Sequence, residues 1–440
     1  PPILKSYWYD TFFEFGIRGF RVESLGKLDD IIANGTDKFE YVFIDEAHRF
    51  RNEITEGYEK LLQICFGKKI ILVSATPLNN KIEDIYSQLK LFQIPKRSTI
   101  PGIANLDTFF QGLRRNINKH PKDDPAYAEE VKRASKEVRE KVLKYVMVRR
   151  TRSAIKKYFS EDIRQQGLFF PEIDDPRRLV YKFDNKTEKT FEKTIKYISQ
   201  LSYARYAPLL FLKEPLPEFE NQSQRNLRGF MKTILVKRLE SSFFAFRNTL
   251  ARFIDSYEKF IEMYNGGVVY ISRKIDVYHF LDNDDEAALL ELVNQDKIEK
   301  YDTSEFKDDF LSCLSKDLEL LKEMQALWNQ IDNDPKIAEL TDDLKKDKLL
   351  RKNKIVIFTE SKETGEYLLD NLYKTFPEKV MFYCSTGGVL TPGHSYKSVS
   401  ISKDIIRENF DANFDNPKND IRILITTDVL AEGVNLHRSN

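Results

Sequence analysis

The 440-residue sequence is poor in the residues that build metal centres and disulfide frameworks. Its three cysteines, Cys65, Cys313 and Cys384, are far apart without metal-ligand spacing, and its five histidines are scattered. Such cysteines are typical of reduced intracellular thiols. No apolar run approaches the length of a membrane span, and the first residues lack a basic stretch followed by a signal-peptide core. These absences argue against zinc-finger and disulfide-rich classes, and they predict a cytoplasmic protein with no membrane partner.

An excess of charge of one sign is also missing. The sequence has 70 basic residues against 69 acidic ones, a formal net charge of +1. A nucleic-acid partner would therefore have to be bound by local basic patches. Residues 144–157 contain six basic residues and no acidic one, and residues 225–252 contain seven basic residues and one glutamate. The candidates for phosphate contacts in these stretches are Arg149, Arg150, Arg152, Lys237, Arg238 and Arg247. A solvated helix face explains any single one of them equally well.

An acidic pair directly follows an apolar run at residues 41–48, Tyr-Val-Phe-Ile-Asp-Glu-Ala-His. The run predicts a buried parallel strand, and open α/β sheets bind ligands at the carboxyl ends of such strands. Burying two adjacent carboxylates is costly unless a cation or a reaction requires them. Phosphoryl transfer uses one carboxylate to help hold Mg²⁺ and another group to orient the attacking water, and Asp45 and Glu46 fit these roles. On its own, however, the pair is more simply explained as an acidic strand end.

The surrounding pattern predicts an α/β protein with a helical middle. Strands alternate with helices in the first and last parts of the chain, and the strands run into polar turns. The predicted strands are residues 41–44, 69–73, 179–183, 354–360, 380–384 and 421–426. Residues 165–176 are predicted to be a linker and residues 225–345 to be mainly helix. The predicted domains are residues 1–160, 161–345 and 346–440.

Four short motifs occur in an order that resembles the superfamily 2 helicase-like ATPases, and within them the Swi/Snf-type DNA translocases. Asp45-Glu-Ala-His resembles the DEAH form of the Walker B motif, and Ser74-Ala-Thr-Pro-Leu-Asn-Asn resembles the third motif in its Swi/Snf form. Residues 354–360 resemble the fourth motif, and residues 426–436 resemble the fifth. Each motif is short, but four in this order make the resemblance specific. It implies an α/β fold with two incomplete RecA-like parallel-sheet lobes separated by a large, mainly helical insertion.

The resemblance implies a role for each matching residue. Asp45 would bind Mg²⁺, and Glu46 would orient or deprotonate the hydrolytic water. His48, Ser74 and Thr76 would link the ATP site to the DNA, and Gly433 would allow close approach of the backbone. The residues implied to contact DNA, besides the basic residues above, are Trp8, Thr426 and Thr427, and Glu432 would contact DNA or relay the nucleotide state. Taken alone, His48 would be an ordinary surface histidine, and Ser74 and Thr76 would be helix caps.

Two parts of the family pattern are missing. The sequence contains no Gly-x-x-x-x-Gly-Lys-Ser/Thr loop to cradle phosphates, and it lacks the last motif, which would supply arginine fingers. Both would fall beyond the ends of this chain. We therefore expect it to be part of a longer motor, with further domains of the same polypeptide as partners, and to be inactive alone.

Three functions are compatible with these features. The first is an ATP- and Mg²⁺-dependent translocase on double-stranded DNA that does not depend on base sequence. The second is a helicase that separates DNA or RNA strands, and the third is a DNA-binding region without catalysis of its own. The lysine-, isoleucine-, asparagine- and phenylalanine-rich composition indicates an AT-rich bacterial genome, which predicts a nucleoid-associated protein.

Overall fold

A computed structural model of the protein describes most of the chain. The described residues are 5–53, 55–74, 82–121, 124–167, 170, 174–271, 299–412, 414–430 and 436–439. They form two compact units, Pro1–Asp175 and Pro176–Asn440. Within the described ranges, no helix is long and apolar enough to span a bilayer. The predicted domain boundaries at residues 160 and 345 stay predictions.

A two-stranded parallel sheet lies at the centre of the first unit. Strand β1 (Tyr41–Ile44) pairs with β2 (Lys69–Leu72), with a helix between them in the chain, as parallel pairing requires. One face of β1 buries Ile44, whereas Tyr41 and Phe43 point to the other face and are exposed. The helices of this unit are α1 (Lys5–Glu14), α2 (Leu28–Ala33), α3 (Glu56–Cys65), α4 (Ile82–Lys90), α5 (Leu106–Ile117), α6 (Pro125–Val138), α7 (Arg152–Tyr158) and α8 (Ser160–Gln165).

A separate apolar cluster holds α4, α5 and α6 together. Its centre is Phe110, which stacks on Tyr86 with ring centroids 4.6 Å apart. Helix α6 continues through a π-helical stretch, Arg139–Leu143, into a last turn, Lys144–Val146. These residues therefore form one longer helical segment with one local change of winding.

The second unit begins with a helical bundle. Its helices are α9 (Asn185–Gln200), α10 (Glu218–Ser241), α11 (Phe243–Asn265), α12 (Phe310–Trp328) and α13 (Pro335–Lys346), with a small antiparallel pair, β3 (Val268–Ile271) and β4 (Glu299–Asp302). The bundle core is rich in aromatic side chains, among them the fully buried Trp328 and Phe246. The prediction of a strand at 179–183 is wrong. Within the part of the chain that the structure describes, this segment pairs with no strand, and Phe183 packs against Phe191 and Phe243.

A four-stranded sheet completes the second unit. Its strands are β5 (Ile355–Phe358), β6 (Val380–Cys384), β7 (Gly387–Val389) and β8 (Ile423–Thr426), in the order β5-β8-β6-β7, and its helices are α14 (Lys362–Thr375) and α15 (Val399–Phe410). Strands β5, β8 and β6 are parallel, and β7 is antiparallel to β6. Gly387 adopts a φ of +122°, where a Cβ would lie 2.0 Å from the Lys397 carbonyl oxygen. The mixed α/β fold with small parallel sheets agrees with the sequence prediction.

Helix α14 joins the bundle to this sheet. The Thr364 hydroxyl lies 2.8 Å from that of Ser242, at the start of α11, and Arg252 forms an ion pair with Glu363. On the sheet side, Gly365 lies so close to Phe382 that a Cβ there would clash with the ring. The bundle and the sheet are therefore tied through α14. Helix α13 also contacts both, because Lys336 donates to the Ser241 carbonyl and Leu344 packs in the core of the sheet.

Candidate functional site

The carboxyl ends of β1 and β2 bring together four of the sequence-predicted residues. Beyond β1, the Ala47 N–H donates to the Val73 carbonyl at 3.0 Å, so the acidic pair and Ser74 leave neighbouring strands side by side. At Glu46 the backbone turns away from the direction of β1, with a φ of +51° in the left-handed region. Non-glycine residues held there are uncommon and concentrate at functional sites. A short 3₁₀ helix, Ala47–Phe50, then presents His48 to the same edge.

His48 connects the two strand ends. Its Nδ1 atom lies 3.1 Å from Glu46 Oε2 and 3.3 Å from Ser74 Oγ. The Glu46 and His48 side chains keep 19% and 21% of their surface exposed, so the cluster is shielded but reachable from solvent. The structure therefore supports the predicted proximity of Glu46, His48 and Ser74. Thr76, also predicted here, lies outside the described residues.

Asp45 is held by donors on both carboxylate oxygens. Oδ1 accepts the Glu46 N–H at 3.0 Å, and Oδ2 accepts the Trp8 indole N–H at 2.9 Å. Trp8 is predicted from sequence to contact DNA, and the structure places its polar edge on the acidic pair instead of leaving it free. Sequence reasoning missed this contact, which joins residues 37 positions apart. Strand alternation is a weak sequence signal for it, because Asp45 follows Phe43 by two residues just past the end of β1.

The carboxylate oxygens of the acidic pair are suitable ligands for the Mg²⁺ ion that accompanies a nucleotide. Mg²⁺ prefers oxygen ligands, retains several waters and binds through one or two carboxylates plus substrate phosphates. Across the described ranges, no group of three or more His, Cys, Asp or Glu residues forms a complete metal cage. Asp45 has acceptor capacity left on each oxygen, because a carboxylate offers about four lone-pair directions. The carboxylate oxygens present therefore suit a hydrated ion that is shared with phosphates.

A hydrogen-bonded layer supports the site from α3 and α4. The Tyr58 hydroxyl donates to the Ser87 carbonyl at 2.7 Å, and Glu53 accepts from the Ser87 hydroxyl and pairs with Lys90. Burial, together with the nearby Glu53 carboxylate, raises the pKa of Tyr58 well above its ordinary value. Tyr58 therefore remains a donor at any physiological pH, and it anchors α4 to α3.

The first basic stretch is solvent-exposed. Arg149, Arg150 and Arg152 are all exposed, and they lie at the start of α7, whose N-cap is the Thr151 hydroxyl. The Arg150 side chain contacts only the neighbouring Arg149 carbonyl, at 3.3 Å, among the hydrogen bonds of the described residues. Exposed aromatic rings flank the stretch, at Tyr145 and at the end of α7. These cations are available to an anionic partner.

The second basic stretch is engaged within the second unit. Arg238 is only 9% exposed and has its own partners there. Arg247 donates to the Ile331 carbonyl, and Lys237 lies 3.6 Å from Glu360. The exposed cations of this stretch are others, namely Arg225, Arg228 and Lys232 on α10. Charge pattern alone could not show which of these side chains are buried.

The polar end of β8 is less accessible than the end of β1. Thr426 is fully buried, and its backbone carbonyl accepts from the Thr359 N–H at 2.9 Å within the sheet. Thr427 is half-buried, and its N–H donates to the Tyr383 carbonyl. Glu432 and Gly433 lie outside the described residues. The predicted nucleic-acid role of these threonines stays a prediction.

Comparison with known proteins finds a family match in the part of the chain that holds this site. Residues 20–222 match the SNF2-related domain. The chain is similar to Helicase SWR1 of Candida glabrata, with 29% identity over 150 residues, or 33% of this chain and 10% of that protein. It is also similar to the Uncharacterized ATP-dependent helicase YqhH of Bacillus subtilis, with 33% identity over 73 residues, or 17% of this chain and 12% of that protein.

These similarities cover only a small part of each relative. The matched region of Helicase SWR1 of Yarrowia lipolytica, at 30% identity, is 5% of that protein and 21% of this chain. The relatives are both fungal and bacterial, so the bacterial source and nucleoid localisation stay predictions. Among solved structures, the Pyrococcus furiosus Hef helicase domain aligns over 99% of this chain and 77% of its own, at 14% identity and a TM-score of 0.28. That score is too low to support an argument about fold.

Proposed function

We propose that the chain is part of an ATP-hydrolysing motor that moves along double-stranded DNA without reading its sequence. The SNF2-related match and the helicase-named relatives support a helicase-like ATPase at the coarser level. The observation that carries the proposal is the acidic pair at the end of β1, connected through His48 to Ser74 at the end of the neighbouring strand. Two RecA-like lobes, one in each unit, are part of the same proposal.

In this proposal Glu46 acts on the attacking water. A general base must lie within hydrogen-bond reach of the proton that it accepts. The left-handed turn at Glu46 directs its carboxylate to the edge of the sheet, and His48 Nδ1, 3.1 Å from Oε2, fixes that carboxylate's position. Because His48 also contacts Ser74, a shift of either strand end would alter the orientation of Glu46. His48 is thus a positioning residue, and Glu46 is the residue that contacts the water.

Asp45 would hold the hydrated Mg²⁺ of the nucleotide. When bound, the ion neutralises charge that develops on the phosphates during transfer. The chain's own contribution is to fix the Asp45 carboxylate, which it does with one N–H group on each oxygen. Thr76 and Gly433 remain proposed members of the nucleotide site, on the resemblance alone.

Arg149, Arg150 and Arg152 are the best-supported phosphate contacts. Binding that is independent of base sequence relies on neutralising phosphates, which needs exposed cations that are not already paired. These three arginines are exposed, and the described residues contain no ion pair that involves them, although Arg152 lies 5.9 Å from the centre of the Phe170 ring. Lys237, Arg238, Arg247, Thr426 and Thr427 remain proposed contacts with weaker support, because they are buried or engaged in other contacts.

The test is nucleotide hydrolysis by the full-length protein, with and without nucleic acid. We expect duplex DNA to stimulate hydrolysis more than single-stranded DNA or RNA does. We expect Glu46→Gln to lower turnover by about 100-fold or more, because general-base catalysis contributes factors of that size. Glu59→Gln, an exposed change on α3, is the matched control. Hydrolysis that no nucleic acid stimulates would contradict the motor, and unchanged turnover in Glu46→Gln would reduce this region to a DNA-binding module.

A strand-displacement assay separates the proposal from its main alternative. A translocase displaces a bound third strand or protein from a duplex without unwinding the duplex itself. A strand-separating helicase releases the complementary strand from a tailed duplex. The helicase names of the relatives make the second outcome a real alternative.

A further inference from the structure

We propose that Trp8 is a positioning residue for Asp45, and that through it α1 controls how firmly the nucleotide's divalent cation is held. This inference rests on the proposed function, because it concerns the same acidic pair. It goes beyond that function by assigning the indole N–H a role at the metal-binding carboxylate. The observation behind it is the 2.9 Å hydrogen bond from Trp8 Nε1 to Asp45 Oδ2.

The contact follows from the matching spacing of a helix and a strand. Trp8 and Phe12 are one helical turn apart on α1, about 6 Å along its axis. Phe43 lies on the exposed face of β1, and Asp45 follows it by two residues, just past the end of the strand, about 6.7 Å further along at extended spacing. Phe12 packs on Phe43 with ring centroids 5.2 Å apart, and Trp8 donates to Asp45. Two successive contacts at similar spacing fix the register of α1 on the strand that leads into the site.

The hydrogen bond completes the fixation of the Asp45 carboxylate. The Glu46 N–H holds Oδ1, but a single bond would leave the carboxylate plane free to rotate. The Trp8 N–H holds the other oxygen and sets that plane. Donors of this kind orient a metal-binding carboxylate, and their loss typically weakens metal affinity by about 10- to 100-fold.

Aromatic contacts make α1 a continuous support for Trp8. The Trp8 ring lies 5.5 Å from Phe12, which in turn lies 5.1 Å from Phe20. Tyr7, whose ring centroid lies 5.9 Å from that of Trp8, and Phe13 are 60% and 63% exposed. Because the family resemblance implies that Trp8 lies where DNA binds, a duplex lying on α1 would shift the same helix that orients Asp45. Trp8 is therefore the contact through which DNA binding can change the affinity for the cation.

Equilibrium binding of Mn²⁺ with a non-hydrolysable ATP analogue tests the proposal in the full-length protein. Free Mn²⁺ is followed by electron paramagnetic resonance, so the readout does not depend on activity. We expect Trp8→Phe, which keeps a ring and removes the N–H, to weaken Mn²⁺ binding by about 10-fold. Tyr7→Phe is the matched control on the same helix, and we expect it to stay within about twofold of the wild type. Mn²⁺ binding by Trp8→Phe that equals or exceeds that of the wild type would overturn the proposal.

A second measurement observes the indole itself. In the full-length protein labelled with 5-fluorotryptophan, the ¹⁹F resonance that disappears in Trp8→Phe is assigned to Trp8. Because Trp8 is half-buried, a soluble relaxation agent should also broaden this resonance. We expect the Trp8 resonance to shift when Mg²⁺ and the analogue bind, and again when duplex DNA is added. A Trp8 resonance that ignores bound Mg²⁺ and analogue would also overturn the proposal.

Different results would contradict the proposed function and the role of Trp8. A wild-type protein that binds no Mn²⁺ with the analogue would contradict the proposed function, and this inference with it. A wild-type protein that binds Mn²⁺ and the analogue, but binds Mn²⁺ no more tightly than Trp8→Phe does, would contradict only the role of Trp8.

Discussion

Two aspartates in this molecule accept similar hydrogen bonds in very different surroundings. Asp317, on α12, is 1% exposed and accepts from the Ser202 N–H and hydroxyl, the Ala204 N–H and the Tyr257 hydroxyl at 2.7 to 3.0 Å. Asp45, at the end of β1, accepts from the Glu46 N–H and the Trp8 indole and remains partly exposed. Both are carboxylates held by backbone and aromatic donors.

The difference lies in the acceptor capacity that remains. The donors around Asp317 come from α11 and from the chain after α9, so this buried charge joins three segments of the bundle and uses nearly all of its lone pairs. Among the described residues, Asp45 accepts from two donors, and it remains partly exposed to solvent. A saturated carboxylate stabilises a fold, whereas an oriented and unsaturated one can bind a ligand. Burial, more than residue type, separates the two roles.

The largest effect on stability is expected at Asp317. Asp317→Ala leaves several buried donors without acceptors, at about 1–3 kcal/mol for each. We therefore expect the free energy of unfolding of the helical bundle to fall by about 4 kcal/mol or more, measured in urea through the fluorescence of the buried Trp328. Asp255→Asn, which removes an exposed i,i+4 pair with Lys259, is the control and should cost under about 0.5 kcal/mol. A loss of less than about 1 kcal/mol in the free energy of unfolding of Asp317→Ala would contradict a structural role for Asp317.

Asp45 should show the opposite balance. We expect Asp45→Asn to lower Mg²⁺-dependent hydrolysis in the full-length protein by about 100-fold, the upper range for a weakened metal site. The free energy of unfolding should change by less than about 1 kcal/mol, because the position is half-exposed and the amide oxygen can still accept the Trp8 N–H. Asp29→Asn, at a well-exposed acid paired with Lys60, is the matched control. A large loss of stability at Asp45 would make it a structural residue like Asp317.

The sequence predicts local elements well where apolar runs have sharp boundaries. The strands at 41–44 and 380–384 occur with the predicted bounds. Strand β7 was not predicted, because the Gly387–Gly388 pair suggests a turn and its pairing is visible only in three dimensions. The strand predicted at 179–183 failed for the converse reason, since strand-forming residues need a neighbouring strand to pair with.

The candidate site shows the same limit. The order of the motifs brings Asp45, Glu46, His48 and Ser74 to one sheet edge, which a parallel pattern predicts. The Trp8 contact depends on how α1 lies on β1, and no local pattern specifies that arrangement. In the same way, a run of basic residues does not reveal that Arg238 is buried and Arg149 is exposed.

Lys354 extends the comparison to a buried cation. It is 8% exposed, donates to the Ile421 carbonyl and lies 4.8 Å from the centre of the Phe410 ring. Burial, with a smaller effect from Arg438, lowers the pKa of Lys354 from 10.5 to about 8. Between these two values the unfolded chain binds more protons than the folded one, so this group makes the free energy of unfolding rise with pH.

Removing this amine should flatten the alkaline stability profile. Between pH 8 and pH 10, we expect the free energy of unfolding of the wild type to rise relative to that of Lys354→Met, by at most about 1.4 kcal/mol per pH unit. Comparing the two proteins cancels the contributions of tyrosines and cysteines that titrate in the same range. Lys348→Met, at an exposed lysine, serves as the control. Parallel profiles for wild type and Lys354→Met would show that this lysine is solvated like a surface residue.

We expect the smallest effects from substitutions of single exposed arginines. These substitutions compare exposed cations with cations that are engaged in other contacts. For a duplex of any sequence, we expect Arg149→Gln and Arg150→Gln each to reduce the slope of log K against log salt by about 1, because each lost phosphate contact releases one counterion fewer. Arg164→Gln is the matched control, since Arg164 is equally exposed but pairs with Glu161 at 2.8 Å. Arg247→Gln should leave the slope unchanged and lower stability, because its guanidinium donates to the Ile331 carbonyl. Fluorescence anisotropy at several salt concentrations gives the slopes. If all four variants had the same slope as the wild type, exposure would not identify the cations that bind DNA.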